Sequence, residues 1–166
     1  MKCYTKASSS ADVTQRELDN LQIAYQAACE SIVLLKNEGV LPLSARRVAL
    51  YGSGVTRTIK GGTGSGEVNE RHSVTILEGM ENRGFEVASR KWLDDFESGM
   101  NAAREAYREE KRKRLNIFKP RSVMDMLFEN FRPPVGRPIT QEDVQESATD
   151  SCIYVVSRQA GEGGDR

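Results

Sequence analysis

The order of apolar runs and glycine-rich turns is the feature that most constrains the fold of this chain. The run Arg47–Gly52 predicts a strand, Ser73–Gly84 a short helix, and Phe85–Ser89 a second strand. This order indicates a βαβ unit, in which the two strands are parallel. A third apolar run, Ile153–Val156, is long enough for a buried strand and has the β-branched residues that favour one. The sequence therefore predicts an α/β fold with a mostly parallel sheet and helices on both faces, an α/β sandwich.

Three more helices are predicted outside this unit. The first spans Thr14–Lys36, begins with a Thr-x-x-Glu capping box and ends before Gly39. Its apolar side chains recur at spacings of three and four residues: Leu18, Leu21, Tyr25, Ala28, Ile32 and Leu35. A long helix is predicted over residues 91–118, and a short one begins at Thr140. The proline-containing residues 119–140 predict an ordered loop or short helix that reaches away from the sheet.

These elements predict one domain with a lead-in. Residues 1–13 are polar and rich in serine, and we expect a flexible segment there. Residues 14–166 are expected to form an incomplete α/β sandwich, in which residues 91–147 are a helical and loop insertion. The third strand has no helix after it, although a doubly wound sheet is covered on both faces. We therefore expect a domain that is truncated at its C-terminus.

Composition narrows the class of protein. The 166 residues include 24 basic and 24 acidic side chains, so net charge does not favour nucleic acid or an anionic membrane as the main partner. No run approaches the roughly 20 apolar residues of a membrane span, and no secretory signal is recognisable. The three cysteines fit no zinc spacing, so reduced thiols in a cytoplasmic protein are expected, with Cys29 and Cys152 in the core. The single histidine, His72, predicts a surface or capping role; neither a metal site nor a cofactor is expected.

Two glycine-rich segments are candidates for function. The loop Gly61–Gly66 lacks the lysine and hydroxyl residue of a P-loop, and Glu67 follows it. Such a loop can approach a sugar closely through its backbone and through Thr63 and Ser65, or can simply be a tight turn without a ligand. The second segment follows the third strand and holds the carboxylate Glu162 among glycines. In open α/β sheets, the loops after the carboxyl ends of the strands carry the chemistry.

Several of these segments together carry a resemblance to a known family. The stretch Ala28–Leu43, the strand Val48–Gly52 and the loop Gly61–Gly66 follow one another as in the α/β sandwich domain of family 3 glycoside hydrolases. The ending Ser157–Arg166 resembles the segment that carries the catalytic acid/base in the β-glucosidase branch. The resemblance covers roughly residues 24–90 and 148–166.

The resemblance implies a retaining β-glycosidase with two catalytic carboxylates. Glu162 would be the acid/base, Thr63, Gly64 and Ser65 would lie near the leaving group, and Asp165 and Arg166 would support the loop. The nucleophile would be an aspartate on a (β/α)8 barrel domain that these 166 residues do not contain. The resemblance therefore implies the N-terminal piece of a domain-permuted enzyme, inactive by itself, whose partners are that barrel and a β-linked oligosaccharide or glucoside.

Two other functions remain open from the residues alone. The same α/β layer could serve as a non-catalytic carbohydrate-binding or interaction module, or as a nucleotide-binding domain. An uncovered sheet edge also predicts possible self-association.

Overall fold

A three-stranded parallel sheet organises the part of the chain that the computed structural model describes, residues 11–59, 61, 71–115, 123, 129 and 131–158. In chain order the elements are α1 (Gln15–Ser31), β1 (Arg47–Tyr51), α2 (Ile76–Asn82), β2 (Glu86–Val87), α3 (Arg90–Arg114), α4 (Gln141–Ser147) and β3 (Cys152–Tyr154). The strand order is β2-β1-β3, and both pairs are parallel. The predicted βαβ unit and α/β class are therefore confirmed.

The central strand β1 is covered on both faces. Val48, Ala49, Leu50 and Tyr51 are each at most 2% exposed, although consecutive side chains of a strand point to opposite faces. A continuous apolar run of this kind is typical of a parallel strand between helical layers. Leu77 and Met80 of α2 are among the half-buried side chains that pack against this core.

The long helix α3 supplies much of the core. Its buried side chains recur on one face: Trp92, Leu93, Phe96 and Met100. The Trp92 ring stacks on Phe96 and meets Tyr51 of β1 edge to face, with centroids 5.3 Å apart. The prediction of a helix here is confirmed, with its end at Arg114 rather than at residue 118. The remaining faces of the helix carry its charged residues, most of which are exposed.

A serine hydroxyl joins α3 to the central strand. Ser89, at the N-terminal end of α3, donates to the Leu50 carbonyl at 2.7 Å and accepts from the Leu50 amide at 2.8 Å. The side chain thus satisfies the amide and the carbonyl of a fully buried residue. Each of these backbone groups would cost about 1–3 kcal/mol of stability if it were left without a hydrogen bond. The sequence predicts residue 89 as the end of the second strand, but β2 ends at Val87.

The segment before α4 packs on α3 instead of reaching away from the sheet. Gly136 lies against the Phe96 ring so closely that a Cβ atom there would meet it at 2.2 Å. The Trp92 indole N–H donates to the Pro138 carbonyl at 3.4 Å. For residues 131–140 the prediction of a loop is confirmed, but its predicted direction away from the sheet is wrong, because apolar contacts with α3 hold this irregular segment against the helix. The predicted helix after Thr140 is confirmed, with a complete Thr140–Asp143 capping box.

Residues up to Pro42 form a separate compact unit from those that begin at Leu43. Helix α1 begins as predicted, with the Thr14 hydroxyl accepting from the Glu17 amide, but it ends at Ser31 rather than at Lys36. Two reasons favour the early end: β-branched residues follow, and the Ser31 hydroxyl bonds to the Ala28 carbonyl. The predicted apolar stripe is exposed along its whole length, since no residue of α1 is buried.

Gly39 takes the left-handed conformation, with φ of 91°. It does so within a turn after the end of α1. There the Asn37 side chain accepts from the amides of Gly39 and Leu41 and donates to the Leu41 carbonyl. An asparagine that satisfies the backbone in this way stabilises a turn without a helix.

The prediction that Cys29 and Cys152 lie in the core is wrong. Cys29 and Cys152 are both exposed. Cys29 lies on α1, none of whose residues is buried, and Cys152 lies on β3, where Cys152 and Tyr154 are exposed and only Ile153 is half-buried. In the described residues β3 is an edge strand, so only one partner strand covers it. None of the helices in the described ranges has the length and apolar character that a bilayer crossing requires.

Candidate functional site

The carboxyl ends of β1 and β3 lie side by side and define the candidate site. Tyr51 pairs with Tyr154, and the Val155 amide donates to the Tyr51 carbonyl at 2.8 Å. Because the strands are parallel, the segments that leave them start from the same edge of the sheet. This edge is where open α/β sheets bind ligands.

Two glycines allow these segments to approach closely. At Gly52, where φ is 96°, a Cβ atom would lie 2.3 Å from the Val155 carbonyl oxygen. At Gly54 it would lie 2.5 Å from the Val155 Cγ1 and 3.3 Å from the Ser157 Cβ. Larger residues therefore do not fit without displacing the segment after β3. The turn at residues 52–54 thus allows Val155–Ser157 to lie beside the end of β1.

Threonine and backbone groups fasten the loop after β1 to the start of α2. The Thr58 hydroxyl donates to the Gly54 carbonyl at 2.7 Å and accepts from the Ile76 amide at 3.0 Å. The Leu77 amide donates to the Val55 carbonyl, also at 3.0 Å. Val55 itself is fully buried. The loop is therefore fixed at both its first turn and the point where it leaves toward the glycine-rich segment.

An ion pair fastens the same loop to α3. Arg57 binds Glu97 through two parallel hydrogen bonds of 2.9 and 2.7 Å, and the Thr56 hydroxyl donates to the same carboxylate. Asn101, one helical turn further along α3, accepts from the Arg57 guanidinium at 3.0 Å. The hydrogen bonds from Arg57 lower the pKa of Glu97, which keeps it ionised. We call Thr56, Arg57, Glu97 and Asn101 the loop anchor.

The sequence-predicted site residues lie outside the described residues. This holds for Glu162, Asp165 and Arg166, and also for Thr63, Gly64 and Ser65. The structure does describe the segments from which they continue: the loop after β1 as far as Ile59, and the chain after β3 as far as Arg158. Of these segments, the structure brings together Gly52–Gly54 and Val155–Ser157.

A second polar cluster joins α4 to the segment before it. The buried carboxylate of Asp143 accepts from Arg137 at 2.7 and 2.8 Å, and from the Thr140 amide and hydroxyl at 2.7 Å. The Arg137 hydrogen bonds hold the pKa of Asp143 well below its usual range. The Tyr51 hydroxyl donates to the Asp143 main-chain carbonyl at 3.1 Å. Burial raises the pKa of Tyr51. Every oxygen of this carboxylate is occupied, so the cluster serves the fold.

The next question is whether His72, or any group of residues that commonly bind metals, belongs to the described site. The imidazole is exposed and lies 2.9 Å from the Glu78 carboxylate of α2, which agrees with the predicted surface role. Across the described residues, no group of three or more His, Cys, Asp or Glu side chains could hold a metal ion.

Sequence reasoning missed the loop anchor. Arg57 and Glu97 are separated by 40 residues, and the charges of α3 repeat around its surface, so no local pattern pairs them. The capping box at Thr140 is visible in the sequence because both partners lie within one turn. Arg137, which completes that cluster, precedes the box and carries no pattern of its own.

Comparison with known proteins places the fold and this edge of the sheet in context. The family described as "Glycosyl hydrolase family 3 C-terminal domain" matches residues 32–166. Beta-glucosidase A from Butyrivibrio fibrisolvens is 31% identical over 153 residues, which cover 89% of this chain. The structure of beta-glucosidase 3B from Thermotoga neapolitana in complex with glucose covers 90% of the chain, with 33% identity and a TM-score of 0.58. Its complex with alpha-D-glucose covers 92%, with 31% identity and a TM-score of 0.56.

The chain spans a small part of these relatives. It covers 16% of the Butyrivibrio enzyme and 20% and 19% of the two Thermotoga structures. Within that span, the family match takes in β1, the loop anchor and β3, and the structural match extends over nearly the whole chain. The chain therefore belongs to glycosyl hydrolase family 3, and residues 32–166 correspond to that family's C-terminal domain.

Proposed function

We propose that this chain is the part of a retaining β-glycosidase that supplies the general acid/base, and that Glu162 performs this role. The observation that carries the proposal is the close approach of two segments: a Cβ atom added at Gly54, on the loop that leads toward Thr63, would lie 3.3 Å from the Cβ of Ser157, on the segment that leads to Glu162. Both segments begin at the carboxyl edge of a parallel sheet, where ligands bind in open α/β folds. Family membership supplies the class of chemistry.

Glu162 has two tasks in this proposal. As an acid it protonates the glycosidic oxygen of the leaving group, and as a base it then activates the water that releases the sugar from the enzyme. The first task needs a carboxyl group that is protonated near neutral pH, which burial or a second carboxylate in the closed cleft provides. Thr63, Gly64 and Ser65 contact the leaving group, while Asp165 and Arg166 support the loop that carries Glu162.

The nucleophile and most of the specificity lie elsewhere in this proposal. An aspartate on a (β/α)8 barrel domain of the full-length chain attacks the anomeric carbon from the opposite face of the sugar. In retaining glycosidases the two carboxyl groups are about 5–5.5 Å apart. The substrate class is a β-linked glucoside or oligosaccharide, in line with the beta-glucosidases that the chain is similar to.

The test is the leaving-group dependence of Glu162→Ala in the full-length protein. For aryl β-glucosides with poor leaving groups, we expect kcat/KM to fall about 100-fold to 10,000-fold, because the proton donor is lost. For a dinitrophenyl glucoside, which needs no proton, glycosylation should be nearly unchanged. Azide should restore turnover and yield the β-glycosyl azide, since a small anion can occupy the space of the lost carboxylate.

The matched control is Glu142→Ala, which removes an exposed carboxylate from α4 and should leave both substrates unaffected. A loss of activity in Glu162→Ala that is equal for good and poor leaving groups would show that Glu162 is not the proton donor. Product analysis by NMR gives a second check, because the first sugar product must keep the β configuration.

A further inference from the structure

We infer that Glu97 is a positioning residue for the acid/base step, acting through Arg57 and Thr56 on the turn that supports the segment before Glu162. The inference rests on the proposed function, because it assigns Glu97 to the reaction for which Glu162 is the proposed proton donor. Glu97 itself touches no substrate in this account. It fixes the loop backbone at Thr56 and Arg57, and the segment that leads to Glu162 packs against this loop.

The first link is the rigidity of α3. This helix has 25 residues, and its N-terminal half is locked into the core by the buried side chains of Trp92, Leu93, Phe96 and Met100. Glu97 follows Phe96 directly and lies within this locked part. A carboxylate on such a helix is a fixed reference point for whatever it binds.

The second link is the loop anchor. Arg57 and Glu97 are only 25% and 30% exposed at their side chains, so water screens the pair less than a fully exposed one. One oxygen of Glu97 accepts from both Thr56 and Arg57, and the other accepts from the second guanidinium nitrogen. Hydrogen bonds from two consecutive residues define both the position and the orientation of the loop backbone.

The third link is the contact between the turn and the segment after β3. Gly52 and Gly54 lie in the same loop as Thr56 and Arg57, and they fit against Val155 and Ser157 without room for a Cβ atom. A shift of the loop therefore shifts the segment that leads to Glu162, because the packing there leaves no slack. Misplacement of a reacting group by about 1 Å can cost on the order of 100-fold in rate.

The experiment compares Glu97→Ala with wild type in the full-length protein, with the same two aryl glucosides. We expect kcat/KM for the poor leaving group to fall roughly tenfold to 100-fold, and for the dinitrophenyl glucoside to change less than about threefold. Glu97→Gln keeps one acceptor oxygen, so for the poor leaving group its kcat/KM should lie between those of wild type and Glu97→Ala. In a Glu162→Ala background, Glu97→Ala should have almost no additional effect, because residues that act as a unit are not additive.

Glu105→Ala is the matched control, since it removes an exposed carboxylate from the same helix that pairs only locally with Arg108 among the contacts described. If Glu97→Ala lowers thermal stability too far, Arg57→Lys keeps the charge, removes the two-pronged contact and should show the same leaving-group dependence. Equal losses for both substrates, or none, in a protein whose Glu162→Ala variant behaves as expected, would overturn this inference alone. An inactive wild type, or Glu162→Ala without leaving-group dependence, would overturn the proposed function and this inference with it.

Discussion

Glycines at the end of β1 decide how closely two chain segments can approach at the candidate site. Gly52 combines a left-handed backbone with a neighbouring carbonyl oxygen that leaves no room for a side chain. Gly84 has a similar φ of 79° but open space around its Cα atom. A comparison of Gly52 with Gly84 therefore distinguishes two costs of replacing a glycine, backbone strain and steric overlap.

Gly52→Ala should destabilise the protein more than Gly84→Ala does. Backbone strain alone should lower the free energy of unfolding by about 1–2 kcal/mol in each variant. Displacement of the Val155 carbonyl should add about 1–3 kcal/mol in Gly52→Ala. Urea unfolding, followed by the fluorescence of Trp92, measures both. Gly99→Ala, within α3 and in open space, is the control and should stabilise by about 1 kcal/mol; equal losses at positions 52 and 84 would contradict the steric argument.

Short elements in this fold depend on their caps because they bury few side chains. Helix α4 has seven residues, of which only Asp143 and Ser147 are buried, and both are polar. Isolated helices of this length are unstable in water, so side-chain hydrogen bonds must supply what propensity does not. Thr140 and Asp143 do so reciprocally, and Arg137 ties the same carboxylate to the preceding segment.

Thr140→Ala should therefore lower the free energy of unfolding by about 1 kcal/mol. It removes one hydroxyl that makes two hydrogen bonds: it accepts from the Asp143 amide and donates to the Asp143 carboxylate. Thr140→Ser keeps the hydroxyl and should stay close to wild type. Hydrogen exchange of the α4 amides gives the local readout, with faster exchange expected in the alanine variant. Unchanged exchange in α4 would mean that tertiary contacts, and not the cap, hold this helix.

At the scale of elements, the sequence predicts what local patterns determine. β1 is predictable because four consecutive apolar residues need cover on both faces, and the starts of α1 and α4 are predictable because each cap lies within one turn. Elements whose limits depend on distant contacts are less predictable. Residues 131–140 return to α3 through Gly136 and Phe96, and the loop anchor joins residues 40 apart. Neither contact leaves a periodic signal. The acid/base role of Glu162 follows from family resemblance and stays a prediction.

For the whole molecule, a formal net charge of zero conceals several arginine–carboxylate pairs, and in two of those within the described residues the pKa of the carboxyl group is shifted. Arg57 binds Glu97 beside the candidate site, and Arg137 binds Asp143 next to the core. The pKa of each carboxyl group is lowered, with the hydrogen bonds from its arginine as the largest cause. Because both pairs belong to the unit that begins at Leu43, they link the stability of the sheet-containing unit to pH.

The free energy of unfolding should therefore fall as the solution becomes acidic. A carboxyl group whose pKa is lower in the folded state stabilises the fold above its unfolded pKa, about 3.9 for aspartate, and this contribution is lost as pH falls through the folded pKa. Asp143→Asn lacks this contribution at neutral pH, so its difference from wild type should be largest above about pH 5 and should shrink steadily from about pH 4 downward. Urea unfolding at a series of pH values measures the difference. The control is Asp150→Asn, in the exposed turn before β3. It removes one negative charge, as Asp143→Asn does, but leaves the Arg137–Asp143 ion pair intact. A difference between Asp143→Asn and wild type that stays constant from neutral to acidic pH would mean that the Arg137–Asp143 pair does not couple folding to protonation.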